Sequence, residues 1–328
     1  MWIYIVRRTL QGVLVLFLVS LTIFSLVRSL PGDAILMQLD QAAALSKEDL
    51  AHARQELGLD RLFWQQYGTW IRGVLHGDLG HSLTSRKPVS TELGKRVTLT
   101  FHLAILALCV ALLLAIPVGI MSAVWQDTVT DYTGRLCAII GLSFPDFWLA
   151  TVIITFMAIW WHWMPPMGFE PIWIDPLKCL EQLFIPALII GARLSAVLMR
   201  MTRSALLEVL REDYVRTARA KGLHECVIIL KHALHNVCIP LVTIIGQQLS
   251  VLLGGAVIVE VIFLLPGVGS LTLDAAMLRD YTMVQGAVMF FATVMVGLNV
   301  LVDVSSAWFD PRIRAKNLVP SPARRGVR

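Results

Sequence analysis

The chain has 328 residues, of which 56% are apolar and only 16% charged, and its mean hydropathy is +0.70. A composition this apolar excludes an ordinary soluble domain. The net charge of +5 raises nucleic-acid binding, but the basic residues gather beside apolar runs, as they do at the inner flanks of membrane spans.

Apolar runs near 20 residues recur, the length a helix needs to cross the hydrocarbon core. The first extends from about Thr9 to Val27 behind Arg7 and Arg8. It is longer than the apolar part of a signal peptide and no A-x-A site follows. It therefore reads as an uncleaved span with a cytoplasmic N-terminus. Residues 30–96 are polar and long enough to form a helical insertion outside the cytoplasm. Ser46-Lys47-Glu48-Asp49 reads as a capping box with Asp in place of Glu, and Gly58 closes that helix. Phe63, Tyr67, Trp70, Ile71, Val74 and Leu75 then recur at i, i+3, i+4, which predicts an amphipathic helix. Its stripe either packs on the first helix or rests in the membrane interface. The run Gly77-Asp78-Leu79-Gly80-His81-Ser82 follows. His76, Asp78 and His81 carry ligand chemistry, but polar residues among glycines are a turn pattern, and no metal site is expected.

The second span covers about Val97 to Ala123 and contains Pro117, tolerated where neighbouring helices satisfy the freed carbonyl. A short cytoplasmic turn, Trp125 to Arg135, leads to a third span over about Leu136 to Trp160. Within it, Pro145 predicts a kink, and Asp146 lies ~15 Å deep at 1.5 Å per residue. A carboxylate there costs on the order of 3 kcal/mol, so Asp146 either lines a watery path or makes a buried structural hydrogen bond. Trp160, Trp161 and Trp163 form an aromatic belt at the outer surface. The fourth span, about Leu183 to Met201, places Arg193 at a depth similar to that of Asp146. The two either pair, or Arg193 snorkels to the interface.

Arg200 to Pro240 is a polar island holding seven Lys or Arg. Good helix formers precede Gly222, which sits where a left-handed cap would end a helix. A second helical segment, about Glu225 to Val237, is expected to stop at Pro240. The fifth span, about Ile239 to Leu264, carries Gln247, Gln248, Ser250, Gly254 and Gly255, a mixture suited to the centre of a bundle. After the irregular run Phe263 to Gly269, the last span covers about Thr282 to Trp308. Residues 309–328 form a basic cytoplasmic tail. Six spans result, with both termini inside. The short outer loops hold one basic residue each, Lys178 and Arg279. The five cysteines (Cys109, Cys137, Cys179, Cys226 and Cys238) show neither disulfide nor metal spacing.

D-Y-V-R-T-A-R-A-K-G-L (Asp213 to Leu223), followed by a helix and I-P, resembles the cytoplasmic coupling loop of ABC-importer permeases, and more narrowly their dipeptide/oligopeptide/nickel branch. Thr217, Ala218 and Arg219 stand where the general signature has Glu-Ala-Ala, a departure the peptide/nickel branch shares. G-D-x-G-x-S at Gly77, S-x-P-x-F-W at Ser143, F-x-x-P-G-V-G at Phe263 and F-D-P-R-I-R at Phe309 are also similar to that branch. The resemblance implies an all-α polytopic fold of the type I importer class, with residues 97–308 as the five-helix core. Asp213, Tyr214, Thr217, Ala218, Arg219, Ala220, Lys221 and Gly222 would couple to an ATPase, with Ala218 and Ala220 permitting close approach. Ser143, Asp146, Arg193, Gln247 and Gln248 would line the pathway. Gly77, Asp78, Gly80, Glu260, Pro266 and Gly267 would face an extracytoplasmic binding protein.

These readings point to a transport subunit that performs no reaction. The chain has no G-x-x-x-x-G-K-[ST], so ATP and Mg²⁺ belong to two partner ATPase subunits, and a second, related permease completes the pathway. Peptides are the expected cargo, with nickel chelates or glutathione as alternatives. An intramembrane enzyme would need a nucleophile and base at one depth, and neither H-E-x-x-H nor G-x-S-x-G occurs. An ion-coupled carrier would usually show two similar halves, and no internal repeat is visible.

Overall fold

Long apolar stretches without water must satisfy their backbone internally, and helix does this within one segment. The computed structural model describes residues 2–29, 61–166 and 168–309, and the regular structure among them is helical. The order is α1 (Trp2–Ser29), α2 (Phe63–Leu75), α3 (Val89–Val124), α4 (Val129–Ser143), α5 (Asp146–Trp161), α6 (Pro176–Leu210) and α7 (Asp213–Ala220). A short helix, α8 (Glu225–Val227), runs through a π turn (Ile228–Ala233) into α9 (Leu234–Ile262), followed by α10 (Val268–Met277) and α11 (Tyr281–Phe309). Among the described residues four helices are long and apolar enough to cross a membrane, and up to six spans result when each of two bent pairs counts as one. The expected capping box at Ser46, the cap at Gly58 and most of the basic tail lie outside the described residues.

Two prolines act differently from expectation. The third span is broken outright, not kinked: α4 and α5 meet at 91°. Phe144 and Pro145 are both extended, and Pro145 is the cap from which α5 restarts. A proline disfavours helical geometry at the residue before it and has no N–H to continue the ladder. Pro240, by contrast, lies inside α9 and bends the chain by 51° without stopping it, because packed neighbours let a membrane helix continue past a proline.

The bundle is organised on α3 and α6, which lie against each other along their length. Small residues make this possible, with Ala104, Ala107, Ala111, Ala115, Ala187 and Ala196 all buried. A Cβ on Gly191 would stand 2.7 Å from the Ala107 carbonyl oxygen, and one on Gly119 2.8 Å from Thr202 Cβ. Such close backbone approach is how helices gain dispersion contacts where lipid removes the hydrophobic incentive. On one flank α1 packs along α11, joined by an Arg8–Asp303 ion pair. The amphipathic α2 packs on α1, as one of the two sequence readings expected. Phe24 is ringed by Phe63, Tyr67 and Trp70, and the Ser20 and Tyr67 hydroxyls are 2.8 Å apart.

Candidate functional site

The sequence-derived candidates fall at three levels of the bundle. At the basic end, α6 runs beyond Arg200 to Leu210 before the chain turns into α7. Eight residues are too few for a helix to stand alone in water, so α7 depends on docking. Val215 is fully buried and Ala218 nearly so, packed with Ile228 and Leu210. Gly222 has φ +74°, its N–H donates to the Arg219 carbonyl at 2.9 Å, and the Leu223 N–H donates to Ala218 at 3.3 Å. Both bonds of a Schellman cap are therefore present. Arg219 donates to both carboxylate oxygens of Glu225, at 2.7 and 3.3 Å, and Asn236 donates to the Tyr214 hydroxyl at 2.8 Å.

This geometry corrects one expectation. Ala218 does not offer its small side chain to a partner; it packs α7 onto its own chain. Asp213, Thr217, Ala220, Lys221 and Gly222 are exposed, and Leu223, Val227 and Leu230 add an apolar margin. The exposed Asp213–Arg216 pair at 3.4 Å contributes little to stability.

Midway along α6, Arg193 Nη1 donates to Asp146 Oδ2 at 2.7 Å, so the two intramembrane charges pair. The contact borders a cleft of about 310 Å³ whose walls include Leu142, Ser143, Phe144, Phe147 and Ile258. Asp146 Oδ1 is buried without a hydrogen-bond partner among the described residues. The Ser143 hydroxyl is turned back onto the Ile139 carbonyl at 2.7 Å. Gln247 and Gln248, respectively exposed and half-buried, are absent from this cleft. They lie about 16 Å from Ile258 along α9 at 1.5 Å per residue. The five expected path residues thus occupy two separate levels.

At the opposite end, Gly77 and Gly80 both have positive φ, +83° and +84°, and Asp78 Oδ1 accepts the Gly80 N–H at 2.9 Å. The turn presses on α11, for a Cβ on Gly80 would stand 2.9 Å from Thr282. Buried Asp280 fixes it there, accepting from the Ser82 hydroxyl and from the N–H groups of Leu83, Thr84 and Met283. Among the described residues no three His, Cys, Asp or Glu side chains gather closely enough to hold a metal.

Glu260 also departs from expectation. It is fully buried, so its carboxylate cannot face a binding protein. It accepts from the Thr100 hydroxyl at 2.7 Å and from the Ser270 N–H at 3.0 Å, and Thr100 Oγ1 accepts the Val268 N–H at 2.9 Å. The carboxylate caps the N-terminus of α10, where helix geometry leaves N–H groups unpaired and favours negative charge. Gly267 is buried for the same reason, since a Cβ there would fall 2.2 Å from the Glu260 carboxyl carbon. Gly77, Asp78 and Pro266 remain at the surface. Gly267→Ala is expected to destabilise the purified protein by about 1–3 kcal/mol through overpacking. An unchanged thermal midpoint in detergent would mean that Glu260 is not held in place.

One cluster had no signal in the sequence. Asp131, on the first turn of α4, is completely buried and accepts both Nε and Nη2 of Arg203, at 2.8 and 2.7 Å. The Ser122 hydroxyl and the Asp127 N–H also donate to it. A fully satisfied carboxylate therefore ties the α3–α4 turn to the segment of α6 that leads into α7. An Asp in a helix's first turn is unremarked by itself, and its partner lies 72 positions away.

Residues 115–315 match the family described as "Binding-protein-dependent transport system inner membrane component", and residues 1–104 match the N-terminal family of the same systems. The dipeptide transport system permease protein DppB of Escherichia coli (strain K12) is 38% identical over 321 residues, covering 91% of this chain and 94% of its own length. The glutathione transport system permease protein GsiC of Pectobacterium atrosepticum is 36% identical over 313 residues, covering 95% and 99%. A putative peptide transport system permease protein of Brucella abortus (strain 2308) is 38% identical over 311 residues, covering 94% and 98%.

Proposed function

Because the chain belongs to the family of binding-protein-dependent transport system inner membrane components, we propose that it is one of two permease subunits of a bacterial ATP-driven importer of small peptides. Its six spans enclose too little to make a conduit, so a second, related permease supplies the other half. Two ATPase subunits carry the ATP and Mg²⁺, and an extracytoplasmic binding protein delivers the cargo. Both termini and α7 lie in the cytoplasm, residues 30–96 form the extracytoplasmic insertion, and this chain needs no cofactor of its own.

The observation that carries the reading is the build of α7. A helix too short to stand alone is docked on its own arm through Val215 and Ala218. It is capped at Gly222 and leaves a polar face free, as a part that receives force from another subunit would. Nucleotide-driven closure of the ATPases displaces α7 and with it α6, so that the pathway opens to alternate sides. Glutathione is a second cargo reading, favoured by the similarity to the glutathione permease.

The test is reconstitution. Proteoliposomes holding both permeases, both ATPases and the binding protein are expected to accumulate labelled dipeptide only with ATP, and the chain alone is expected to accumulate none. Ion-gradient-driven uptake by the chain alone would replace this proposal with a secondary carrier. Competition by excess glutathione would select the second cargo.

A further inference from the structure

Arg193 lies near the midpoint of the 35-residue α6, about 26 Å from either end at 1.5 Å per residue, yet its side chain is 52% exposed. A guanidinium at that depth is costly against hydrocarbon, and its bond to Asp146 keeps it from reaching an interface. It therefore faces water or another polar surface, as the lining of a pathway does. Only one of its N–H donors has a partner among the described residues, the 2.7 Å bond from Nη1 to Asp146 Oδ2. Arg193 also lines the cleft of about 310 Å³, at the lower end of the range for small-molecule sites. Exposed Phe144 and Phe147 give that cleft an apolar wall beside the guanidinium.

We propose that this cleft is a mid-membrane subsite in which Arg193 binds the free carboxylate of a peptide in transit, with Asp146 as the positioning residue that holds the guanidinium. The planar fork of arginine matches a carboxylate, which it takes through two parallel bonds. Asp146 also sets the charge of the ligand. With its carboxylate alongside, the pair is neutral overall, which admits a singly charged carboxylate and disfavours a dianion such as phosphate. The same partial neutralisation keeps the contact weak enough to release, a requirement of any conducting site. The inference rests on the peptide-import reading and assigns the level and chemistry at which cargo is held.

The experiment uses the complete transporter in proteoliposomes without its binding protein, so that no upstream selection intervenes. The probes are alanyl-p-benzoylphenylalanine, photoreactive and with a free carboxylate, and its C-terminal amide. The acid is expected to label residues 142–147 or the region of Ile258 roughly tenfold or more over the amide, the scale of one charge-assisted contact. Arg193→Gln should bring acid labelling down to the amide level. Asp146→Ala should lower it as well, and Asp146→Asn, which keeps an acceptor, should restore it. Equal labelling by acid and amide in the unaltered transporter, or acid labelling elsewhere, would overturn the site, and that comparison needs no variant to fold. Dipeptide uptake measured in parallel, in proteoliposomes to which the binding protein has been restored, separates the two proposals. No uptake by the unaltered transporter strikes the cargo reading, whereas uptake with labelling indifferent to amidation strikes only the carboxylate subsite.

Discussion

Val215→Glu is expected to abolish ATP-driven uptake while the chain still inserts and assembles its spans. Val215 is wholly buried between α7 and its supporting arm, in contact with Ala218, Ile228 and Leu210. The eight residues of α7 have no helical stability of their own. Docking therefore rests on a few small apolar contacts, of which Val215 contributes about 1.5–3 kcal/mol. An unpaired carboxylate in that position forfeits this contribution and adds a desolvation cost of at least about 2–7 kcal/mol. The docked population should fall by roughly a hundredfold or more, and uptake with it. Membrane fractionation and hydrogen exchange across 213–223 would separate undocking from failed insertion. Val215→Glu proteoliposomes that import at the unaltered rate would exclude α7 as the part that receives force. Asp213→Ala, which removes only an exposed pair, should change stability by less than about 1 kcal/mol.

Asp131→Ala should be among the most destabilising single changes in the chain, by about 3–5 kcal/mol. It strands the Arg203 guanidinium and leaves the Asp127 N–H and Ser122 hydroxyl without their acceptor. Arg203 remains 17% exposed, so water relieves part of the loss and the lower end of that range is expected. The informative comparison is Asp131→Ala/Arg203→Met. Removing both charges leaves only Arg135, 3.4 Å from Asp131 but 38% exposed and so within reach of water, and the double variant should be more stable than Asp131→Ala alone by at least about 1 kcal/mol. Thermal unfolding in detergent would measure this. Additive losses would show that the two side chains do not depend on each other.

Features set by neighbours in sequence were the most legible. The cap at Gly222, the packing stripe of α2 and the spans themselves each follow from a local period or a single backbone requirement. The Asp146–Arg193 pair was reachable because both residues stand out as charges in apolar runs at similar depth. Asp131 was not reachable, since it reads as a routine first-turn residue until α6 brings Arg203 to it. Glu260 misled for a related reason. Its loop is rich in Gly and Pro and looks like a surface, but those glycines exist to let the carboxylate reach the start of α10. Ala218 shows the limit of composition: its smallness serves packing within the chain, and only the folded positions of Ile228 and Leu210 reveal that. Pro145 and Pro240 carry the same local constraint with opposite outcomes, because tertiary packing decides whether a helix survives a missing N–H.

Between Arg193 and Leu210 the chain contains neither proline nor glycine, and Pro186, the one proline inside α6, lies on the far side of Arg193. That half of α6 is a stiff shaft of about 17 residues, or roughly 26 Å, with no joint in it. Asp131 grips it near the lower end and Asp146 meets it at the upper. Torque applied below, as the import proposal has it, would reach the charged cleft as a turn of the whole shaft, without a chain of side chains passing the signal along. Replacing the exposed Arg200 and Met201 by glycine would give the shaft a joint and leave both of its ends chemically unchanged.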